Sequence, residues 1–151
     1  MQSADSSARL IRMKIVADTN VWISGLLWSG PPAQLLQRAE SGQLAIFVSP
    51  AILDEIERVL EYQRIQRQMQ KLGVSQTEVL TFAIQLMTFV QPSELEERVA
   101  PDPQDDMFLA CALAAGVPYL VSGDHHLLDM GTWQTIRIVT VNDFLAQHFR
   151  A

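Results

Sequence analysis

The chain has 151 residues, 48% of them hydrophobic, with 17 acidic against 11 basic side chains and a formal net charge of −6. That length and apolar content suit one compact domain around a single core, and the acidic balance argues mildly against a protein that coats nucleic acid by charge alone. No uncharged apolar stretch approaches the roughly 18 to 20 residues needed to span a bilayer, so a soluble protein with no membrane partner is expected.

Cys111 is the single cysteine and sits among Leu109, Ala110, Ala112 and Leu113. It reads as a small core residue with no disulfide to make, as in a reducing cytoplasm. Residues 1 to 12 are polar and small, and read as a flexible leader in which Met13 is a candidate true start. Residues 13 to 151 then form the single domain.

The run Ile15-Val16-Ala17 predicts a short buried strand that delivers Asp18 at its carboxyl end. Ser29-Gly30-Pro31-Pro32 breaks the chain before a helix predicted over 32 to 41, closed by Gly42, and a second strand is predicted over 44 to 48. Ser49-Pro50 is a helix start with serine as cap, and Ile52, Leu53, Ile56, Val59 and Leu60 make its apolar stripe. Arg58, Arg64, Arg67 and Lys71 fall in this one predicted helical region, which Gly73-Val74 ends. They read equally as a solvated face or as a phosphate-binding edge, as do Arg9, Arg12 and Lys14 near the amino end.

Ser75-Gln76-Thr77-Glu78 has the spacing of a capping box, and the helix it opens should pair with the preceding one as a hairpin. A short strand is predicted around 88 to 91, then an acidic loop at Glu94-Leu95-Glu96-Glu97. Asp102-Pro103 begins the most apolar helix, Met107 to Ala115, which stops at Gly116. Strands over 119 to 122 and 135 to 140 and a helix over 142 to 148 complete the chain. Strands separated by helices of this length predict an α/β fold with a central, mainly parallel sheet covered on both faces.

In such a sheet Asp18 and Asp124, which follows Tyr119-Leu120-Val121-Ser122-Gly123, emerge on the same rim. One aspartate after a strand is ordinarily a turn former or helix cap, but two after central strands suggest a site. Asp102 suits the cap of the following helix, and Asp105 can complete a short capping box with it. Asp106 has no such explanation. At the head of a buried helix its carboxylate would cost several kcal/mol unless a metal or cation meets it. On the helix of 50 to 60, Glu55 borders the apolar stripe, Glu57 borders its other side, and Asp54 lies opposite as a solvated bystander.

Met-Lys-Ile-Val-Ala-Asp-Thr-Asn-Val at 13 to 21, Ile-Leu-Asp-Glu-Ile-Glu-Arg-Val-Leu at 52 to 60, Asp-Pro-Gln-Asp-Asp-Met-Phe-Leu-Ala-Cys-Ala at 102 to 112 and Tyr-Leu-Val-Ser-Gly-Asp at 119 to 124 resemble, in order and spacing, PIN domains. The resemblance spans about residues 13 to 145 and is strongest to prokaryotic PIN proteins regarded as toxins of toxin-antitoxin pairs. It implies a three-layer α/β/α fold and a carboxylate site of Asp18, Glu55, Asp106 and Asp124. By the same resemblance Asn20 orients the first acid, Ser122 lies near the metal, and Asp105 is an additional acid of this subgroup.

Asp18, Asp106 and Asp124 would hold the ions, and Glu55 would hold one or position the attacking water. An oxygen-only set suits Mg2+ or Mn2+, which lower the pKa of a bound water and stabilise the leaving oxygen. The resemblance thus implies an endoribonuclease with an RNA substrate, a small antitoxin partner and a homodimer, for which Trp22, Leu27 and Trp28 are equally interface or core. His125 and His126 point in different directions and cannot easily share one ion. Other readings are a PIN-like module that binds RNA or protein without cutting, and a phosphatase-like hydrolase. A haloacid dehalogenase would require an aspartate where this chain has Asn20, and a receiver domain would require paired acids near the first strand and a late lysine.

Overall fold

The computed structural model describes residues 12–95, 98–100 and 102–149. Except for Arg12, the leader expected at 1 to 12 lies outside the described residues, as do Arg9 and the Glu96-Glu97 part of the acidic loop. The strands are β1 (Met13–Ala17), β2 (Leu44–Val48), β3 (Met87–Phe89), β4 (Tyr119–Val121), β5 (Thr132–Trp133) and β6 (Ile136–Val139). They form one sheet in the order β3-β2-β1-β4-β6-β5, parallel except where the short β5 pairs antiparallel with β6. The helices are α1 (Thr19–Leu27), α2 (Pro31–Glu40), α3 (Pro50–Leu60), α4 (Gln63–Leu72), α5 (Gln76–Gln85), α6 (Asp106–Ala115), α7 (His125–Leu128) and α8 (Val141–His148), with a 3-10 turn at Pro103–Asp105 before α6. They flank the sheet in the three-layer α/β arrangement that the strand-helix alternation predicts.

β1 is central because it has a parallel partner on each side, which explains why Ile15, Val16 and Ala17 are completely buried. α6 packs on β1, β2 and β4. Its Leu109, Cys111 and Ala112 are fully enclosed, as its lack of a polar face requires. Burial pushes the Cys111 thiol up to about 12, so it stays a protonated packing residue beside Ser49. No helix among the described residues is long and apolar enough to cross a membrane.

Two features differ from the sequence reading. Residues after Asp18 had no assigned element, yet they form α1, which buries Val21, Trp22, Ile23 and Leu27. A helix this apolar carries no alternating polar stripe, so periodicity gives no signal for it. Trp22 and Leu27 are therefore core, whereas Trp28 is 37% exposed. The helical region expected to run on to Gly73 is two helices instead. The N–H groups of Glu61 and Tyr62 turn back to Arg58 and Val59, and Tyr62 is extended at ψ 142°, so α4 leaves in a new direction. Arg58 thus sits on a different helix from Arg64, Arg67 and Lys71. Ser75 and Glu78 make the expected capping box at α5, and Gln66 bridges α4 to Gln76.

Candidate active site

The register of the central strands builds the site. Ala17 pairs with Val121, so the next residues, Asp18 and Ser122, emerge side by side at the carboxyl edge of the sheet. Asp18 caps α1 through Oδ1, which accepts the Val21 N–H at 2.9 Å. Its Oδ2 accepts the Ser122 hydroxyl at 2.6 Å and the Gly123 N–H at 3.1 Å. Three donors from two elements hold both oxygens of a carboxylate that is 4% exposed. Burial nevertheless raises its pKa, with the Asp124 charge adding to the rise and the three hydrogen bonds opposing it.

Asp124 is set by the same serine: its N–H donates to Ser122 Oγ at 2.9 Å, and its Oδ1 accepts the His126 N–H at 2.9 Å. Asp105 completes the group from the 3-10 turn before α6. It is 8% exposed, and its buried Oδ2 receives no N–H or hydroxyl donor among the described residues. Burial, followed by the neighbouring Asp124 carboxyl, pushes Asp105 up to about 7, whereas the hydrogen bond from Asp105 holds Asp124 below its ordinary value. Two carboxyl groups so close share either a proton or a cation.

Glu55 faces them from α3. Thr19 Oγ1, one residue after Asp18, donates to Glu55 Oε1, and Arg58 lies 3.6 Å from Glu55 Oε2. Asp18, Thr19, Glu55, Asp105 and Asp124 line a cleft of about 290 Å3, to which Asp102, Tyr62 and Arg64 also contribute. Asp54 and Glu57 are exposed. Asn20, expected to orient Asp18, is instead exposed beside the cleft at the first turn of α1, and the Asp18 carboxylate is held by Val21, Ser122 and Gly123.

Asp106 stands elsewhere. Its carboxylate accepts the Ala100 N–H at 2.6 Å and the Val99 N–H at 3.1 Å, and it lines a separate hollow with Arg98 and Met107. The penalty expected to demand a metal is met by backbone donors from the preceding loop, and Asp105 lines the cleft in its place. Asp105 makes no return bond to the start of the turn. Asp102 alone caps it, accepting the Gln104 N–H at 3.0 Å, so the expected capping box is absent.

Of the four bases, Arg64 lines the cleft and also lies over the Trp28 ring, 5.8 Å from its centroid. Arg67 and Lys71 are exposed outside the cleft wall. His125 and His126, expected to point in different directions, are exposed with their ring centroids 4.2 Å apart, and His126 Nδ1 lies 3.7 Å from Asp124 Oδ1. Sequence reasoning did not find Thr19 or Tyr62. Thr19 could have been suspected as the residue following Asp18, but nothing local marks Tyr62.

Among the described residues no three His, Cys, Asp or Glu side chains already stand arranged to hold a metal ion. The chemistry of the donors fits one all the same: they are all carboxylate oxygens, suited to hard divalent cations, and the donorless Asp105 Oδ2 leaves an acceptor in want of positive charge.

A PIN domain family model matches residues 14–126. Among curated proteins no match is found. Among solved structures, a chain of VapBC2 from Rickettsia felis, determined bound to a DNA fragment from their promoter, is similar with a TM-score of 0.57 at 13% identity, over 83% of this chain and 97% of that one. The PIN domain of human SMG5 is similar with a TM-score of 0.49 at 13% identity, over 89% and 97%. With the family model spanning most of the chain and the carboxyl edge of the central strands carrying the acids, this protein belongs to the PIN domain family.

Proposed function

We propose that this chain is a metal-dependent endoribonuclease and the toxin of a toxin-antitoxin pair, cutting RNA phosphodiester bonds in the cytoplasm. The observation that carries the reading is the meeting of Asp18, Asp105 and Asp124 at one sheet edge, with Glu55 opposite and a buried Asp105 oxygen that lacks a donor. A divalent cation, Mg2+ or Mn2+, supplies when bound the positive charge that activates water and offsets the charge building on the scissile phosphate.

Asp18, Asp105 and Asp124 would hold that cation. Ser122 fixes two of them at once, through its hydroxyl to Asp18 and by accepting the Asp124 N–H. Glu55, oriented by Thr19 and Arg58, positions water on the far wall. Arg64 at the cleft and Arg58 beside it provide positive charge for the RNA backbone, with Arg67 and Lys71 extending it outward.

A small antitoxin filling the acidic cleft is the expected partner. A homodimer is supported by exposed Phe82, Ile84 and Phe89 on α5 and β3. The test is incubation of purified protein with total RNA and Mn2+, followed by mapping of 5'-phosphate ends. Defined ends that vanish in Asp18→Asn support the nuclease. Binding of RNA without any cleavage supports the non-cleaving module instead.

A further inference from the structure

A second hollow adjoins the acidic cleft on the other side of the α1 amino end. It encloses about 350 Å3, and its wall shares Asn20, Ser122 and Gly123 with the catalytic edge. Gly123 is the hinge between the two: its N–H donates to Asp18 Oδ2 while the residue itself lines the hollow. A group seated here is therefore one short step from the proposed scissile phosphate.

The lining differs in kind from the cleft, because no Asp, Glu, Lys or Arg is among its residues. The apolar part is Val21 and Val141 together with Pro31 and Pro32, which open α2. Those two prolines carry no N–H, so the amino end of α2 presents flat rings where it would otherwise offer donors to an anion. The polar part is Asn20, Ser24 and Asn142, whose side chains have no hydrogen-bond partner among the described residues. Carboxamides offer a donor and an acceptor side by side, the pattern that matches the edge of a nucleobase. The volume lies within the about 300–1,000 Å3 usual for ligand sites and leaves room for a single nucleoside.

We infer that this hollow is a base-recognition subsite, holding the unstacked base of a single-stranded RNA nucleotide next to the cut phosphate, with Pro31 and Pro32 against its face and Asn142 reading its edge. The inference rests on the nuclease reading for its substrate, but its test does not depend on cleavage. A neutral pocket beside a charged cleft divides the labour: the cleft takes phosphate, the hollow takes base.

Fluorescence anisotropy with end-labelled short oligoribonucleotides, in Ca2+ to prevent turnover, compares the intact oligonucleotide with versions made abasic one position at a time. For the wild-type chain one position should cost about tenfold in affinity. Asn142→Ala, an exposed substitution, and Ser24→Phe, which fills the hollow, should bind the intact and abasic forms equally at that position, with unchanged melting temperature. A cost below about twofold at every position, or variants that discriminate as the wild type does, overturns the subsite. Discrimination in Ca2+ without cleavage in Mn2+ overturns the nuclease reading and leaves the subsite standing. Cleavage without discrimination does the reverse.

Discussion

Adjacent acids at the start of α6 should behave in opposite ways when changed. The Asp106 carboxylate accepts the Val99 and Ala100 N–H groups, and Ala100 is 2% exposed, so Asp106→Ala takes the acceptor from one buried donor and from one half-buried donor that water can partly satisfy. Each buried donor left unsatisfied costs about 1–3 kcal/mol, and losing a negative charge at a helix amino end adds about 0.3–1 kcal/mol. The sum is about 2–5 kcal/mol. In a domain of this size that corresponds to a fall in melting temperature of roughly 5 to 15 °C.

Asp106→Asn keeps one acceptor oxygen and should lose about half as much. Neither change touches the cleft, so Mn2+ affinity measured by calorimetry below the transition should stay within about twofold of wild type. Asp105→Asn removes a carboxylate that burial and Asp124 already disfavour. It should raise the melting temperature of the metal-free protein while lowering Mn2+ affinity and RNA cleavage by about 100-fold or more. The reasoning is refuted if Asp106→Asn abolishes Mn2+ binding in a folded protein, or if Asp105→Asn cleaves at the wild-type rate.

Three further outcomes follow from the same geometry. Asp105 has a folded pKa of about 7 against 3.8, so the stability it contributes is full below about pH 4 and is lost as pH rises through about 7. Melting temperature in chelator should therefore fall from about pH 5 to about pH 8, and Asp105→Asn or saturating Mg2+ should flatten the slope; a slope unchanged by both would contradict the shared proton. Ser122→Ala removes the hydroxyl that holds Asp18 and the acceptor for the Asp124 N–H, and should cost about 10- to 100-fold in metal affinity, read by titration, with the fold retained. At Gly25 an added Cβ would sit 2.7 Å from the Pro32 carbonyl oxygen and 2.8 Å from Leu36 Cδ1, so Gly25→Ala should destabilise by about 1–3 kcal/mol in denaturant unfolding, despite the higher helix propensity of alanine. Stabilisation by that change would mean that α1 and α2 are not in such close contact.

Strand and helix alternation, the apolar runs that end in Asp18 and Ser122, and the caps at Ser49 and Ser75 were legible because each is a local signal: a period, a turn residue or a hydrogen bond a few residues long. α1 escaped because its few polar residues, Thr19, Asn20 and Ser24, leave too weak a period to read, and the split between α3 and α4 escaped because Tyr62 ends a helix by a backbone rotation that no proline or glycine marks. The choice between Asp105 and Asp106 lay beyond local reasoning altogether. They are adjacent, Asp105 ending the 3-10 turn and Asp106 opening the helix, and roughly 100 to 120° of rotation separates them. Only packing against β1 and β4 turns Asp105 toward Asp18 and Asp124, while the loop at Val99 and Ala100 closes over Asp106. The sequence by itself determined which carboxylates were at hand and that two would share a sheet edge, because strand order and burial follow from hydrophobic pattern. Tertiary structure decided which of them face one another, because helix rotation is set by contacts between residues far apart in the chain.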